Sequence, residues 1–231
     1  MTLLVLKDGT AFAGKPLGAA GETHGEVVFS TAMTGYQEML TDPSYAGQVL
    51  VLTYPLAGNY GINPEDVESK RIQVRGLVVQ EACDLPSHWR SEMTLHEYLA
   101  SQDVAGISGV DTRALTRRLR SAGVMMGTIT AGETADEALA RLRSLPPYGE
   151  SDYVREVTAD APYEWPPDGQ AGDGKPQRQS LPAGRQVVVM DTGLKYNILR
   201  LLRERGCRVT AVPCTTSAED ILALKPDGIV F

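Results

Sequence analysis

The sequence has few cysteines, few histidines and no long hydrophobic run. Cys83, Cys207 and Cys214 are too few and too widely spaced for a disulfide framework or a paired-cysteine metal site. The histidines at positions 24, 88 and 96 show no metal-ligand spacing, so we interpret them as surface or structural residues. No segment reaches the roughly 18 apolar residues that cross a bilayer, and the N-terminus carries no export signal. These absences predict a cytoplasmic protein without membrane contact, disulfides or a metal site.

The charge balance is acidic. Lysine and arginine number 22 against 29 aspartate and glutamate residues, which gives a net charge of -7 and a pI near 5.0. This balance argues against a chain whose main partner is nucleic acid or an anionic membrane. Arg113, Arg117 and Arg120 recur along one side of a predicted helix, which is compatible with an anion-binding stripe. A solvated face, or a docking surface for an acidic partner, fits the overall charge better.

The first 145 residues predict a mixed α/β domain. Asp8 and Gly9 lie between two apolar runs and indicate a β-hairpin, and further strands are predicted at residues 27–29, 49–53, 73–80, 104–110 and 125–130. Helices are predicted at residues 94–102, after an N-cap at Asp111, and after a capping box formed by Thr134 and Glu137. The pattern is typical of an α/β architecture.

The remaining residues divide into a linker and a regular segment. Residues 146–184 hold seven of the fourteen prolines, and the stretch beyond Trp165 shows no periodicity, so we expect its second half to be mobile or loosely docked. Residues 185–231 alternate apolar strands with helices as β-α-β-α-β, which predicts a parallel, doubly wound sheet that binds ligands at the carboxyl ends of its strands. Three such strands leave an unpaired edge, so we interpret the segment as the start of a larger domain. One glycine in Asp191-Thr192-Gly193 does not make a dinucleotide-binding motif.

Residues 31–48, "TAMTGYQEMLTDPSYAGQ", form a polar stretch between two predicted strands, which we interpret as a long connecting loop. Asp42, Pro43, Ser44 and Tyr45 are favoured in this order in a type I turn. Taken alone, the hydroxyl of Ser44 is expected to bond its own backbone rather than a ligand. A ligand-binding role is the alternative, because loops on a rigid scaffold often carry binding groups.

Three long segments identify a family. "GEVVFSTAMTGYQEMLTDPSYAGQVLVLTYPLAGNYGIN", "VDTRALTRRLR" and "VVMDTGLKYNILRLLRERGCRVTAVPCTTSAEDILALKPDGIVF" resemble, in order and spacing, the small subunit of glutamine-hydrolysing carbamoyl phosphate synthase. The resemblance implies a swivelling β/β/α-type domain over residues 1–145. It also implies an incomplete class I glutamine amidotransferase domain of parallel, doubly wound type over residues 185–231.

The resemblance also implies a function. The small subunit hydrolyses L-glutamine through a cysteine thioester and passes ammonia to a large subunit, which uses ATP, magnesium and bicarbonate to make carbamoyl phosphate for pyrimidine and arginine biosynthesis. It implies no cofactor in this chain, and it assigns Ser44 to contact with glutamine across the domain boundary. The catalytic cysteine, histidine and glutamate of the family are expected beyond Phe231. The alternative is that this chain, as it stands, is a non-catalytic docking module for the large subunit.

The cysteines predict that the 231-residue chain alone does not hydrolyse glutamine. A catalytic thiol needs a strand-to-helix turn, a nearby base and backbone donors for the oxyanion. Only Cys214 lies between a predicted strand and a capped helix, but it lacks flanking glycines, and every histidine belongs to the other domain. We therefore interpret Cys214 as a structural or incidental thiol.

Overall fold

The computed structural model describes residues 1–165 and 184–231. The second half of the predicted linker, which we expect to be mobile or loosely docked, lies outside the described residues. The strands are β1 (Thr2–Leu6), β2 (Ala11–Gly18), β3 (Thr23–Ser30), β4 (Gln48–Leu52), β5 (Leu56–Ala57), β6 (Gly76–Val78), β7 (Glu81–Ala82), β8 (Ala105–Ser108), β9 (Met125–Thr130), β10 (Tyr163–Trp165), β11 (Gln186–Asp191), β12 (Arg208–Pro213) and β13 (Gly228–Val230). The helices are α1 (Tyr36–Thr41), α2 (Leu95–Ser101), α3 (Thr112–Ala122), α4 (Ala135–Ser144), α5 (Tyr153–Val157), α6 (Tyr196–Glu204) and α7 (Ala218–Ala223).

Seven strands of the first part close into a barrel in the order β1-β2-β8-β6-β4-β3-β9. The predicted hairpin is confirmed, because Leu3 lies opposite Ala13 in the antiparallel pair of β1 and β2. Closure comes from β9, which pairs antiparallel with both β1 and β3. The interior is filled by fully buried side chains from these strands and from α3, including Leu4, Leu6, Val27, Val49, Val51, Ile107, Leu115 and Ile129. Closing the sheet removes the free edges that an open sheet presents to solvent.

Local sequence signals set the ends of the helices on this barrel. The Asp111 carboxylate accepts the N–H of Ala114 at 2.8 Å and caps α3. The predicted capping box of α4 is present, with Thr134 and Glu137 each accepting a backbone N–H of the other. These short-range predictions are confirmed because each bond joins residues three positions apart.

The stretch 31–48 is not one long loop, so that expectation is wrong. It contains α1 and a short 3-10 helix, Pro43–Tyr45. The helix buries polar side chains that have hydrogen-bond partners: Gln37 exchanges hydrogen bonds with the backbone of Asn63, and the Thr41 hydroxyl accepts the N–H of Glu68 at 2.8 Å. Because two of its four buried residues, Gln37 and Thr41, are polar, α1 shows little of the hydrophobic period that identifies a helix in a sequence.

The second sheet has the order β10-β12-β11-β13. The predicted parallel β-α-β-α-β unit is confirmed, since β11 pairs parallel with both β12 and β13. Leu199 of α6 packs with one face of the sheet and Ile221 of α7 packs with the other, as a doubly wound arrangement requires. One edge of β13 is unpaired among the described residues. The antiparallel strand β10, which the sequence did not predict, covers the other edge of the unit at β12.

The predicted linker contains ordered structure before residue 166. The hydroxyl of Tyr148 donates to the Ala46 carbonyl at 3.0 Å, and the ring of Tyr148 stacks on that of Tyr153 at 4.6 Å between centroids. This part of the segment therefore packs on the barrel, whereas β10 belongs to the second sheet. The division into residues 1–145, 146–184 and 185–231 stays a prediction. Within the described ranges, no helix is long and apolar enough to cross a membrane.

Candidate functional site

Ser44 lies in the predicted tight turn, which the structure confirms. The N–H of Tyr45 donates to the Asp42 carbonyl at 3.0 Å, and the Asp42 carboxylate accepts the N–H of Ser44 at 2.9 Å. The side chain of Ser44 is exposed, and no hydrogen bond within residues 1–165 and 184–231 involves its hydroxyl. The acceptor that caps this turn is thus the Asp42 carboxylate, and the Ser44 hydroxyl is free for another partner.

The turn at residues 42–45 contacts the second sheet where β11 ends. The Lys195 ammonium forms an ion pair with the Asp42 carboxylate at 2.6 Å. Gly193 has a φ of +111°, and a Cβ placed on it would lie 3.3 Å from the Cβ of Pro43. The close approach and the positive φ both favour glycine at this position. The turn therefore brings Ser44 to the carboxyl end of a parallel strand, the edge at which such sheets bind ligands.

The ion pair fixes the charge of Lys195. Its hydrogen bond to Asp42 raises the pKa of the ammonium above the ordinary lysine value, with burial opposing the shift and the charges of Asp42, Glu68 and Tyr45 adding to it. Burial raises the pKa of the Tyr45 phenol. Both groups therefore keep their protons at neutral pH, so neither supplies a general base beside Ser44.

Hydrogen bonds within the protein occupy the carboxylate that ends β11. One oxygen of Asp191 accepts the N–H groups of Gly193 at 3.0 Å and Leu194 at 2.9 Å, and the other accepts the N–H of Ala159 at 2.9 Å. The Thr158 hydroxyl donates to the Asp191 carbonyl at 2.6 Å. These bonds hold the Asp191 carboxylate within the fold, where it joins residue 159 to the backbone that follows β11.

Cys214 follows β12 and lies near the same edge. Its N–H donates to the Thr158 hydroxyl at 2.9 Å, and its side chain is half-buried. No hydrogen bond in the described ranges joins it to a histidine; His96 instead accepts the N–H of Gly18, and His88 accepts that of Arg90. The described residues also include no group of three or more His, Cys, Asp or Glu that could hold a metal ion. The described part of the chain therefore offers no Cys/His pair for nucleophilic catalysis.

A separate cleft lies elsewhere on the protein. It has a volume of about 290 Å³, and its lining includes Arg71, Arg75 and Glu156 but no residue of the turn at 42–45 or of the second sheet. Its charged groups are largely paired, since Arg75 bonds the Glu156 carboxylate at 2.7 Å. Because its charges are used internally, we place the candidate site at the turn rather than in this cleft.

Two further surfaces of the barrel domain are exposed. Arg113, Arg117 and Arg120 of α3 are exposed, and no ion pair within the described ranges involves them, so their predicted role in docking stays open. Met33 and Tyr54 are exposed and line a shallow apolar groove, which the sequence analysis did not identify. No short-range pattern could have revealed the groove, because its two sides come from separate loops.

Comparison with known proteins finds a family match for the barrel and for the parallel sheet. Residues 4–129, which span the barrel, match the model of the carbamoyl-phosphate synthase small chain, CPSase domain. The chain belongs to the carbamoyl-phosphate synthase small chain family. Residues 188–231, which span the parallel unit, match the model of glutamine amidotransferase class-I. The resemblance seen in the sequence and the predicted α/β fold class are thereby confirmed.

Curated relatives agree with this assignment. The carbamoyl phosphate synthase small chains of Syntrophotalea carbinolica and of a Nostoc species each share 50% sequence identity with this chain over 98% of its length. That of Pseudomonas syringae pv. tomato shares 48% identity over 98% of its length. The alignments cover 61%, 59% and 61% of these relatives. The chain thus spans about six tenths of the length of the curated relatives that it matches.

Proposed function

We propose that this chain acts in the glutaminase subunit of a glutamine-dependent carbamoyl phosphate synthase and contacts L-glutamine through Ser44. Ammonia released from glutamine passes to a large subunit that binds ATP and magnesium and makes carbamoyl phosphate from bicarbonate. In the cytoplasm this product serves pyrimidine and arginine biosynthesis. The observation that carries the proposal is the exposed hydroxyl of Ser44 at the carboxyl end of the parallel sheet, which makes no hydrogen bond to any residue that the structure describes.

Glutamine is zwitterionic and loses hydrogen bonds to water when it enters a site, so the site must supply partners for its polar ends. Ser44 can donate or accept such a bond. Its position is constrained on two sides, by the Asp42 carboxylate on its own N–H and by the ion pair of that carboxylate with Lys195. Lys195 and Tyr45 keep their protons, so the proposed contribution of this turn is binding and orientation rather than proton transfer.

Substitution of Ser44 tests the proposal in the full-length small chain combined with the large subunit. Ser44→Ala removes one hydrogen bond to glutamine, so we expect the KM for glutamine to rise about 10- to 150-fold, which corresponds to the loss of one bond to a charged group. Synthesis driven by added ammonia should keep its rate, because ammonia bypasses glutamine binding.

Ser87→Ala is the matched control. Ser87 is also an exposed serine in a loop of the first domain, and it lies outside the interdomain contact. An equal loss of glutamine-driven and ammonia-driven synthesis in Ser44→Ala would show that the residue acts structurally and would contradict the binding role.

A second candidate function is docking to the large subunit without chemistry of its own. The apolar groove beside Met33 and Tyr54 favours it, because exposed apolar surface often marks a protein contact. The exposed arginines of α3 favour an acidic contact surface on the partner.

Light scattering and size-exclusion chromatography with the large subunit at micromolar concentration test docking. We expect a stable complex that weakens in the double variant Met33→Ser/Tyr54→Ser and in the triple glutamine variant of Arg113, Arg117 and Arg120. Leu222→Ser, which removes an exposed apolar side chain from α7, is the control. Co-elution no better than that of an unrelated protein would contradict docking.

A further inference from the structure

The N-terminus of α6 has no capping side chain from its own segment. The N-cap residue is Lys195, whose side chain makes no capping hydrogen bond. The first N–H groups of a helix have no partner inside the helix and need one from elsewhere. In α6, the N–H of Ile198 donates to the Lys195 carbonyl at 3.0 Å. The N–H groups of Tyr196 and Asn197 need acceptors from outside this segment.

Glu68 of the first domain supplies both acceptors. Its backbone carbonyl accepts the N–H of Tyr196 at 2.9 Å, and its carboxylate accepts the N–H of Asn197 at 2.9 Å. Its side chain is only 13% exposed, and its second carboxylate oxygen lies 3.9 Å from the guanidinium of Arg200, one turn further along α6. A carboxylate at this end of a helix is also favoured by the helix dipole.

Glu68 is in turn hydrogen-bonded to α1, the helix that precedes Ser44. The N–H of Glu68 donates to the Thr41 hydroxyl at 2.8 Å, and the hydroxyl of the next residue, Ser69, donates to the Thr41 carbonyl at 2.6 Å. Thr41 is the last residue of α1, directly before Asp42. An unbroken series of hydrogen bonds therefore runs from α6 through Glu68 to the residue that begins the turn at 42–45.

We propose that Glu68 is a positioning residue that caps α6 across the domain boundary and so fixes Ser44 relative to the carboxyl end of the parallel sheet. This inference rests on the proposed contact of Ser44 with glutamine. Glu68 itself does not touch the substrate. Without its carboxylate, α6 and the turn at 42–45 sample other relative positions. The apparent affinity for glutamine then falls in proportion to the fraction of molecules that keep the binding arrangement.

The test uses the full-length small chain in complex with the large subunit and two variants of Glu68. Glu68→Ala removes the acceptor for Asn197, whereas Glu68→Gln keeps an amide oxygen at the same position and loses only the charge. Glu65→Ala is the matched control, because Glu65 belongs to the same loop but pairs with Arg90 within the first domain.

Two measurements are made on each variant. In hydrogen–deuterium exchange, peptides covering residues 193–200 should exchange about 5- to 10-fold faster in Glu68→Ala, as expected for loss of one cap. In steady-state kinetics, Glu68→Ala should raise the KM for glutamine about 3- to 10-fold, with kcat and ammonia-driven synthesis nearly unchanged. Glu68→Gln should recover most of both effects, and Glu65→Ala should match the unsubstituted protein.

Several results would overturn the inference. If Glu68→Ala leaves the exchange of residues 193–200 unchanged, Glu68 does not cap α6. If exchange rises but the KM for glutamine does not, the cap does not position the site. If kcat for both nitrogen sources falls equally, the defect is a general structural one. Failure of the proposed function is seen separately, as a complex of unsubstituted chains that synthesises carbamoyl phosphate from ammonia but not from glutamine.

Discussion

The Asp42/Lys195 ion pair should contribute measurably to the contact between the turn at 42–45 and the segment that follows β11. Its atoms are 2.6 Å apart, the Asp42 side chain is 11% exposed and the Lys195 side chain is 43% exposed. Fully exposed ion pairs contribute about 0.2–1 kcal/mol. Hydrogen bonds to charged groups contribute about 1.5–3 kcal/mol. Because one partner is buried and the other half-exposed, we expect a coupling free energy of about 1–2 kcal/mol.

A double-mutant cycle measures this coupling. Asp42→Asn keeps an acceptor for the Ser44 N–H, and Lys195→Met keeps the length of the side chain, so each removes the charge with little change in shape. Urea unfolding can be followed by the fluorescence of Trp165, which is buried in the second sheet and packs on Tyr196. Trp89 is 83% exposed and can be replaced by phenylalanine in every variant to remove its signal.

Salt and pH give this experiment a second criterion. The coupling should decrease in 1 M salt, because Lys195 is partly exposed to screening ions. The folded state raises the pKa of Lys195, so the stabilisation is fully present below the ordinary lysine pKa and is lost as the pH rises through the raised value. A coupling below about 0.3 kcal/mol, or one indifferent to salt, would refute the reasoning.

Three further predictions follow from single residues. Burial and the nearby acidic side chains raise the pKa of Glu38, one oxygen of which is buried without a hydrogen-bond partner among the described residues, so Glu38→Gln should increase urea stability at pH 7 by about 1 kcal/mol. That gain should decrease as the pH falls below the raised folded-state pKa and should be absent below the pKa of the unfolded glutamate, and a gain that persists there would contradict burial as its cause. Gly47→Ala should lower the urea midpoint, because its Cβ would lie 2.1 Å from the ring of Tyr153 at a φ of +76°, and an unchanged midpoint would show that the ring moves freely aside. The purified 231-residue chain should release no glutamate from glutamine, and turnover that Cys214→Ser abolishes would make Cys214 catalytic.

Features that depend on neighbouring residues could be predicted from the sequence. The cap at Asp111, the capping box of Thr134 and Glu137, and the turn at residues 42–45 each arise from bonds over three or fewer positions. The parallel unit was also predictable, because strands buried on both faces are continuously apolar. Each of these signals lies within one short window of the chain.

Features that depend on distant residues could not be predicted. The strand β10 has three residues in a proline-rich segment and exists through its pairing with β12. The helix α1 was missed because Gln37 and Thr41 are buried through bonds to residues more than 20 positions away. The candidate site itself depends on the contact of Asp42 with Lys195, which no local pattern encodes.

The strand β10 changes which part of the chain joins the two domains. Trp165 lies opposite Val209 on one side of β12, and Gln186 lies opposite Arg208 on the other side. Two strand spacings separate them, roughly 10 Å. Trp165 and Gln186 thus belong to the same sheet, so the chain crosses between the domains before β10. Insertions between α5 and β10 should therefore act directly on the crossing between the two domains.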